Sequence, residues 1–412
     1  MFESSLSDVL LHAALALFLL AGAPVAFAQK PQSRNFDGIA KRAAEASAQN
    51  RLGEAIRLYH QALAMRPRWT KGWWSLGTLL YDGSEYPEAA RAFQNVVALD
   101  AKDGTARAML GLCQYELGQD GPALASLQEG RQLGLANDPQ LVHVVLYHTA
   151  LLLLRRRMFA SAQDLLTKIS ADGVQNDGLY LAMGLAVLRI VPENEPPSGT
   201  PGHDVLLQAG RAEALAAMNH FHRAENAYLS LVNEYPNYPN LHFAYGRFLL
   251  EIHDTHGAVE QFKQELKSNP TQVNAMLEIA AARYRLDSAA GVKYAQEAVR
   301  LAPQLPFAHY LLGLLLLDTG KAADAIPHLE IARKAFPTNA SIYFALGNAY
   351  AKTGRKQEAM QVRKTFLRLR AEQQGQAGPK FYGGQTAQPT LNAPAAGGAA
   401  KPPIPHGNTG PT

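Results

Sequence analysis

The sequence predicts an all-α fold: a right-handed superhelical solenoid of antiparallel helix pairs, about eight to nine repeats long. Three observations predict it. A 34-residue period links Ala55, Ala89 and Ala123, then Ala224 with Ala258, and Ala325 with Ala359. An aromatic follows four residues later at Tyr59, Phe93, Tyr228 and Phe262. A second marker keeps step in Leu76-Gly77, Leu110-Gly111, Tyr245-Gly246, Leu312-Gly313 and Leu346-Gly347. A period of this length means one helix pair per repeat, each burying its apolar face only against its neighbours. The chain has 412 residues, 47% of them apolar, more than one globular core accommodates. A solenoid escapes that limit because it grows in one direction.

The elements follow in order. Val9 to Leu20 is apolar apart from His12, and Ala26-Phe27-Ala28 precedes Gln29, a small-x-small pattern that fits signal-peptidase cleavage after Ala28. The segment before it holds Glu3 and Asp8 and no base, and the first positive residues are Lys30 and Arg34. That charge order is unusual for export. The alternative is an uncleaved inner-membrane anchor over residues 9–28, close to the roughly 20 residues needed to span a bilayer. The expected location is therefore periplasmic or secreted in a bacterium, or anchored by that stretch. Residues 36–190 form the first repeat block. Small residues (Gly77, Ala89) stand where helices touch, and large ones (Trp73, Phe93) fill the space between them. Leu52-Gly53, Asp82-Gly83, Leu117-Gly118, Asp318-Thr319-Gly320 and Thr353-Gly354 mark the turns inside pairs, where glycine is expected to supply the left-handed residue that ends a helix. Pro87 and Pro122 begin the following helix, where a missing N–H costs little.

The middle is irregular. A unit with Ala150 and Ala162 follows an insertion near Leu135 to Gln140, and Leu179 to Ile190 reads as a helix carrying Met183-Gly184 without a clear partner. Residues 191–204 form a Pro-rich loop, read as non-helical. A second block, 205–373, resumes with Ala224 and Tyr228, and its unit before Pro303 is one residue short. The expected arrangement is one continuous solenoid with the loop as a surface insertion, because an uncovered repeat face would otherwise meet water. Residues 374–412 are rich in Gly, Pro and Ala and read as a disordered tail.

The combined pattern resembles the tetratricopeptide repeat, through Trp73, Leu76-Gly77, Tyr81, Ala89 and Phe93, and again through Tyr343, Leu346-Gly347, Tyr350 and Ala359. The resemblance runs from about Phe36 to Gln373. Tyr81 and Tyr115 stand one residue later than the family's usual tyrosine, and Arg363 replaces an aromatic in the last unit. The resemblance implies a concave face built from successive first helices, lined here by Trp74, Tyr81, Tyr115, Tyr147, Phe243, Arg247, Tyr284, Tyr310, Phe344 and Asn348. Aromatics there would suit an extended or helical peptide, because they bury much area at little entropic cost. A family subgroup grips chaperone C-termini with paired Lys and Asn. The corresponding positions here are Ala40 and Ala44, Trp74 and Thr78, Ala108 and Leu112, so that clamp is absent.

Composition and motifs narrow the function. Net charge is +4, without a basic run, so there is no nucleic-acid footprint. The single Cys113 sits in an apolar context and reads as a buried small residue. There is no G-x-S-x-G, phosphate-binding glycine loop or H-E-x-x-H. His220 with His222, and His253 with His256, fall on turns without a third ligand, so no metal and no cofactor is expected. The expectation is a non-catalytic scaffold that binds a protein or peptide. The alternative is an assembly or structural factor of a cell-envelope machine such as a pilus, secretion or outer-membrane biogenesis system. Membrane contact is expected only through an uncleaved N-terminus, and the oligomeric state is not legible.

Overall fold

The computed structural model describes residues 31–375 apart from Asn137 and Arg285, with side chains described over 35–372. The predicted signal segment, and the tail beyond Gly375, lie outside the described residues. The described residues form nineteen α-helices and no strand. Contacts divide the chain into two compact units, Met1–Ala275 and Met276–Thr412. The first holds α1 (Pro31–Ala48), α2 (Leu52–Met65), α3 (Thr70–Asp82), α4 (Tyr86–Leu99), α5 (Gly104–Glu116), α6 (Asp120–Leu133), α7 (Pro139–Arg155), α8 (Phe159–Ala171), α9 (Asp177–Val187), a 3-10 turn at Pro192–Asn194, α10 (Pro201–Ala217), α11 (Phe221–Glu234), α12 (Leu241–Glu251) and α13 (Thr255–Ser268). The division falls in the first turn of α14 (Val273–Arg283). The second unit continues with α15 (Ser288–Leu301), α16 (Pro306–Asp318), α17 (Ala322–Ala335), α18 (Ala340–Lys352) and α19 (Lys356–Gly375). The chain is thus all-α, built from stacked helix pairs, with α9 as an additional single helix. The unit boundary lies inside the second predicted block, not at the Pro-rich loop.

Three periodic contacts explain why the sequence pairs its helices this way. First, each marker glycine of a first helix faces the residue sixteen positions later on the second. A methyl group on Gly77 would meet the Phe93 ring at 3.0 Å, on Gly246 the Phe262 ring at 2.6 Å, and on Gly313 the Leu329 side chain at 2.6 Å. Glycine therefore sets how closely the pair can pack, and the buried aromatic or leucine fills what remains (Phe93, Phe262 and Leu329 are all fully buried). In the last pair the facing residue is Arg363, whose Cγ lies against Gly347. Second, a side-chain donor in the first turn of a first helix reaches back six residues to a proline carbonyl. Trp73 Nε1 donates to Pro67 O (2.7 Å), His242 Nε2 to Pro236 O (3.0 Å), His309 Nε2 to Pro303 O (3.0 Å) and Tyr343 Oη to Pro337 O (2.9 Å). Each such bond ties the entry of a repeat to the proline that ended the previous helix, for about 1 kcal/mol net. Third, side-chain caps begin many helices: Asp103 accepts from Ala106 N (2.8 Å), Asn176 from Leu179 N (2.9 Å) and Asp254 from Gly257 N (2.9 Å), each worth about 1 kcal/mol.

The turn residues depart from expectation. The left-handed residue predicted at Gly53 and Gly83 is instead Asn50 (φ 54°) and Ser84 (φ 60°); Gly53 lies inside α2 and Gly83 has φ −80°. The period fixes this site: Asn50, Ser84 and Gly118 stand one period apart, and Asn219, His253, Gly320 and Gly354 continue the series, all with positive φ. Glycine occupies the site in only some repeats. Arg157 and Arg189, both at φ 58°, fill it at two successive turns.

The irregular middle is packed, not open. α9 and α10 run antiparallel with their backbones in contact, Gly184 facing the Leu206 carbonyl and Gly210 facing that of Tyr180. α10 thereby covers α9, the helix for which the sequence offered no partner, and also pairs with α11. α10 begins at Pro201, inside the stretch read as non-helical, because Thr200 caps His203 N (3.3 Å) and proline takes the first helical position. The rest of the loop is pinned: Glu193 pairs with Arg155 (3.5 Å), His203 Nδ1 meets Pro196 O (3.2 Å), and Tyr238 Oη donates to Gly202 O (3.3 Å). α19 continues to Gly375, two residues past the predicted end of the second block.

Candidate functional site

The ten residues predicted to line the first-helix face do not share one environment. Three are buried. In the first unit Tyr81 is covered by Tyr86 from the start of α4, edge-on at 5.4 Å, and burial raises its hydroxyl far above the ordinary range. Phe243 lies against Phe262 at 5.7 Å, with the Arg189 guanidinium 5.8 Å from its ring. In the second unit burial, and then the neighbouring Tyr284, push Tyr310 up to about 12. Tyr86 and Phe262, which close over the first two, come from the second helix of the same pair, and Arg189 reaches Phe243 from the turn after α9. A register position specifies a face and not which side chains pack on it.

Of the rest, Trp74, Tyr115 and Tyr147 are half-buried on the successive first helices α3, α5 and α7. Trp74 packs edge-on against Phe93 at 5.5 Å. Tyr115 and Tyr147 both meet His148, at 4.7 and 5.6 Å, and the Arg155 guanidinium stands 5.2 Å from the Tyr115 ring. His148 Nδ1 is bonded to Val144 O at 2.8 Å, which fixes the imidazole between the two tyrosines. The result is an ordered, part-exposed array of two phenols, an imidazole and a guanidinium. In the second unit Tyr284 and Asn348 are half-buried, while Phe344 is 40% exposed and packs on Phe366 at 5.4 Å.

Arg247 is exposed and belongs to a polar cluster that was not anticipated from the sequence. Glu213 on α10 is buried; it accepts from Tyr228 Oη on α11 (3.0 Å) and from Gln163 Nε2 on α8. Burial raises the Glu213 carboxyl, against the pull of those two hydrogen bonds and of Arg247. Desolvation and the neighbouring Glu213 push Glu251 up to about 7, and Arg247 opposes this. Glu251 is exposed, so water screening limits what its charge costs. Asp164 is raised by desolvation and lowered by Lys168 and Arg247. One signal could have found the cluster. Glu213 and Arg247 stand 34 residues apart, at the same register on successive first helices, and carry opposite charge where an apolar residue is usual.

Cys113 is fully buried, and desolvation pushes its thiol up to about 12, so it is inert as a nucleophile. His220 and His222 are exposed at the α10–α11 turn, and His253 and His256 at the α12–α13 turn. Among the described residues no group of three or more His, Cys, Asp or Glu has a geometry that could hold a metal ion. Among the same residues no helix is long and apolar enough to cross a membrane.

A family model described as tetratricopeptide repeat matches residues 41–90, 75–140 and 310–372. The stretch it leaves unmatched includes α8 to α15, where the period shifts. No curated protein matches the chain. Among solved structures, one of MamA is 23% identical, covering 40% of this chain and 96% of its own, with a TM-score of 0.37. MamA from residue 41 to its end, from Desulfovibrio magneticus RS-1, is 19% identical over 42% of this chain and 99% of its own, at 0.39. A tetratricopeptide repeat protein from Parabacteroides merdae is 13% identical over 69% and 99%, at 0.31.

Proposed function

The chain is a tetratricopeptide-repeat protein, and from that premise we propose that it is a non-catalytic scaffold that binds a protein or peptide partner on its first-helix face. The observation that carries this reading is the part-exposed row Trp74, Tyr115 and Tyr147 on three successive first helices, with His148 and Arg155 fixing the two tyrosines. Rings already held on one edge lose little further freedom on binding, and each tyrosine offers a polar tip beside an apolar face. Phe344, 40% exposed, gives the second unit a comparable anchor. Affinity pull-down with the wild type and with a Trp74→Ala/Phe344→Ala pair tests it. Partner recovery should fall at least ~10-fold, as the loss of a buried aromatic anchor implies. Equal recovery of every partner by both proteins rejects the first-helix face as the site.

The apolar stretch from Val9 to Ala28 supports export, and with it a role in building a cell-envelope assembly. Fractionation with mass spectrometry of the mature terminus decides between cleavage after Ala28 and retention as an anchor. Exported protein with an intact Met1 would exclude cleavage.

A further inference from the structure

The two arginines in left-handed turns open onto one recess. Arg157 (between α7 and α8), Arg189 (after α9), Val191, Pro196, Tyr238 and Asn240 line a cavity of about 360 Å³ within the first unit. Its lining mixes apolar residues with these two arginines. Among the described residues neither guanidinium has a carboxylate or a hydrogen-bond acceptor. The neighbouring Arg155 is different, because it is engaged by Asp120 (2.8 Å) and Glu193 (3.5 Å).

Arg189 is the more unusual of the pair. It is half-buried, its guanidinium 5.0 Å from the Phe159 ring and 5.8 Å from the Phe243 ring. Desolvation, and then the like charge of Arg247, pull it below the ordinary arginine range. Cation–π contacts offset part of that cost but supply no negative charge. A cation removed from water without a counter-charge is unfavourable, so the recess as it stands favours an incoming anion.

The surroundings select among anions. The nearest helix start is that of α12, where Glu265 already accepts from Asn240 N (2.9 Å) and Phe243 N (3.3 Å). Its backbone donors are therefore occupied by a carboxylate, which repels a phosphate dianion more than a singly charged group. Asn240 is also spent on the fold: its Nδ2 donates to Leu188 O (2.9 Å) and its Oδ1 accepts from Gln272 (2.7 Å). The remaining surface is aliphatic, proline and tyrosine, with one further amide at Asn194. A volume of this size is at the small end of ligand pockets, enough for a side chain or two.

We propose that this recess takes a carboxylate carried beside an aliphatic side chain, from an Asp or Glu side chain or a chain end of a partner segment, with Arg157 and Arg189 as the cationic contacts. It uses none of the aromatic row. Only the source of the carboxylate, a protein segment, rests on the scaffold reading.

Calorimetric titration of the full chain tests it with four probes: acetyl-Leu-Asp-Leu-amide, acetyl-Leu-Asn-Leu-amide, acetyl-Leu-Leu with a free terminal carboxylate, and inorganic phosphate. At least one carboxylate peptide should bind ~10-fold or more tightly than the Asn peptide, since the difference is one charged contact. Which of the two does so identifies the source. Arg189→Met preserves a stem between Phe159 and Phe243, and Arg157→Asn suits the left-handed turn. Each should weaken the carboxylate peptide ~10-fold or more. A purely structural arginine would lower the unfolding midpoint when replaced. Here Arg189→Met should unfold at or above the wild-type midpoint, because it removes a half-buried cation that lacks a counter-charge. Affinity for both carboxylate peptides no greater than for the Asn peptide, a phosphate response stronger than both carboxylates, or unchanged binding by folded Arg189→Met would each overturn the proposal. None of these outcomes depends on the pull-down with Trp74→Ala/Phe344→Ala, so the two readings fail separately.

Discussion

Gly210→Ala measures how closely this fold packs its irregular middle. A Cβ placed on Gly210 would fall on the Tyr180 carbonyl and reach the Gly184 amide at 2.9 Å, so α9 and α10 must move apart. The obstacle is backbone, which cannot rotate away as a ring edge can. Overpacking costs about 1–3 kcal/mol where side chains can yield, and more against backbone, whereas alanine's helix propensity returns up to about 1 kcal/mol. The expected net loss is about 2–4 kcal/mol, concentrated in the first unit. Gly53→Ala is the matched comparison. It lies in α2 with nothing within 4 Å of the new methyl group, and should gain about 0.5–1 kcal/mol. Urea denaturation followed by far-UV circular dichroism reads both, with the transition midpoint as the quantity compared, because repeat arrays need not unfold in two states. A midpoint for Gly210→Ala equal to or above the wild type would refute the backbone contact between α9 and α10. A destabilised Gly53→Ala would refute the placement of that residue inside α2.

Two further predictions concern titration. Glu213 has its folded pKa raised by burial, so its contribution is fully present below the unfolded value near 4.5 and is lost as pH rises through the folded value. Glu213→Gln keeps hydrogen-bonding groups toward Tyr228 and Gln163. It should therefore be more stable than the wild type near neutral pH, by about 1 kcal/mol or more, with the difference vanishing toward pH ~4; a less stable variant near neutral pH would contradict this. In the second unit His309 Nε2–H donates to Pro303 O (3.0 Å), which leaves its Nδ1 to accept from His328 Nδ1–H (2.8 Å). Burial and then the facing His309 lower the His328 pKa from 6.5, so stability is complete above about 6.5 and falls as pH drops toward the lower folded value. Chemical denaturation between about pH 7.5 and 5.5 should show that fall in the wild type and a flatter profile in His328→Asn; identical slopes would remove the imidazole pair as its cause.

Much of the fold was legible because a solenoid repeats its contacts. The marker glycines, their partners sixteen residues on and the proline carbonyls six residues back all recur at fixed offsets, so the period carries them. Where the period slips, prediction failed for identifiable reasons. α10 looked like the start of a new block, yet its Gly210 also closes on α9, a contact that no local pattern encodes. Gly53 and Gly83 drew attention as turn glycines, although the period had assigned the left-handed site to Asn50 and Ser84. The candidate face was legible as a register and not as an environment. Trp74, Tyr115 and Tyr147 remain part-exposed, whereas Tyr81, Phe243 and Tyr310 occupy equivalent faces and are covered by residues of adjoining elements. The Glu213–Arg247 relation was present in the sequence as a charge reversal at one period, but it has meaning only once Tyr228 and Gln163 are seen to bury the carboxylate.

The left-handed turn site also supplies a standard for judging Arg157 and Arg189. Seven other repeats place Asn, Ser, His or Gly there, residues that are small or tolerate positive φ with local polar help. An arginine at that site gains nothing for the turn. It carries a backbone cost of roughly 1 kcal/mol relative to glycine, and at Arg189 the guanidinium is also half-desolvated with no carboxylate partner among the described residues. The two exceptions are consecutive, and both line the same recess as Asn240, itself left-handed at φ 63°. Natural sequences break local rules mainly where a site requires it. The coincidence of two such breaks at one cavity is hard to derive from packing, since Asn or Gly would serve the turns better and Met would fill the space between Phe159 and Phe243 without the charge. An anion that binds there would compensate both costs at once, and this is why the stability of Arg189→Met, as well as its affinity, discriminates a ligand site from a structural one.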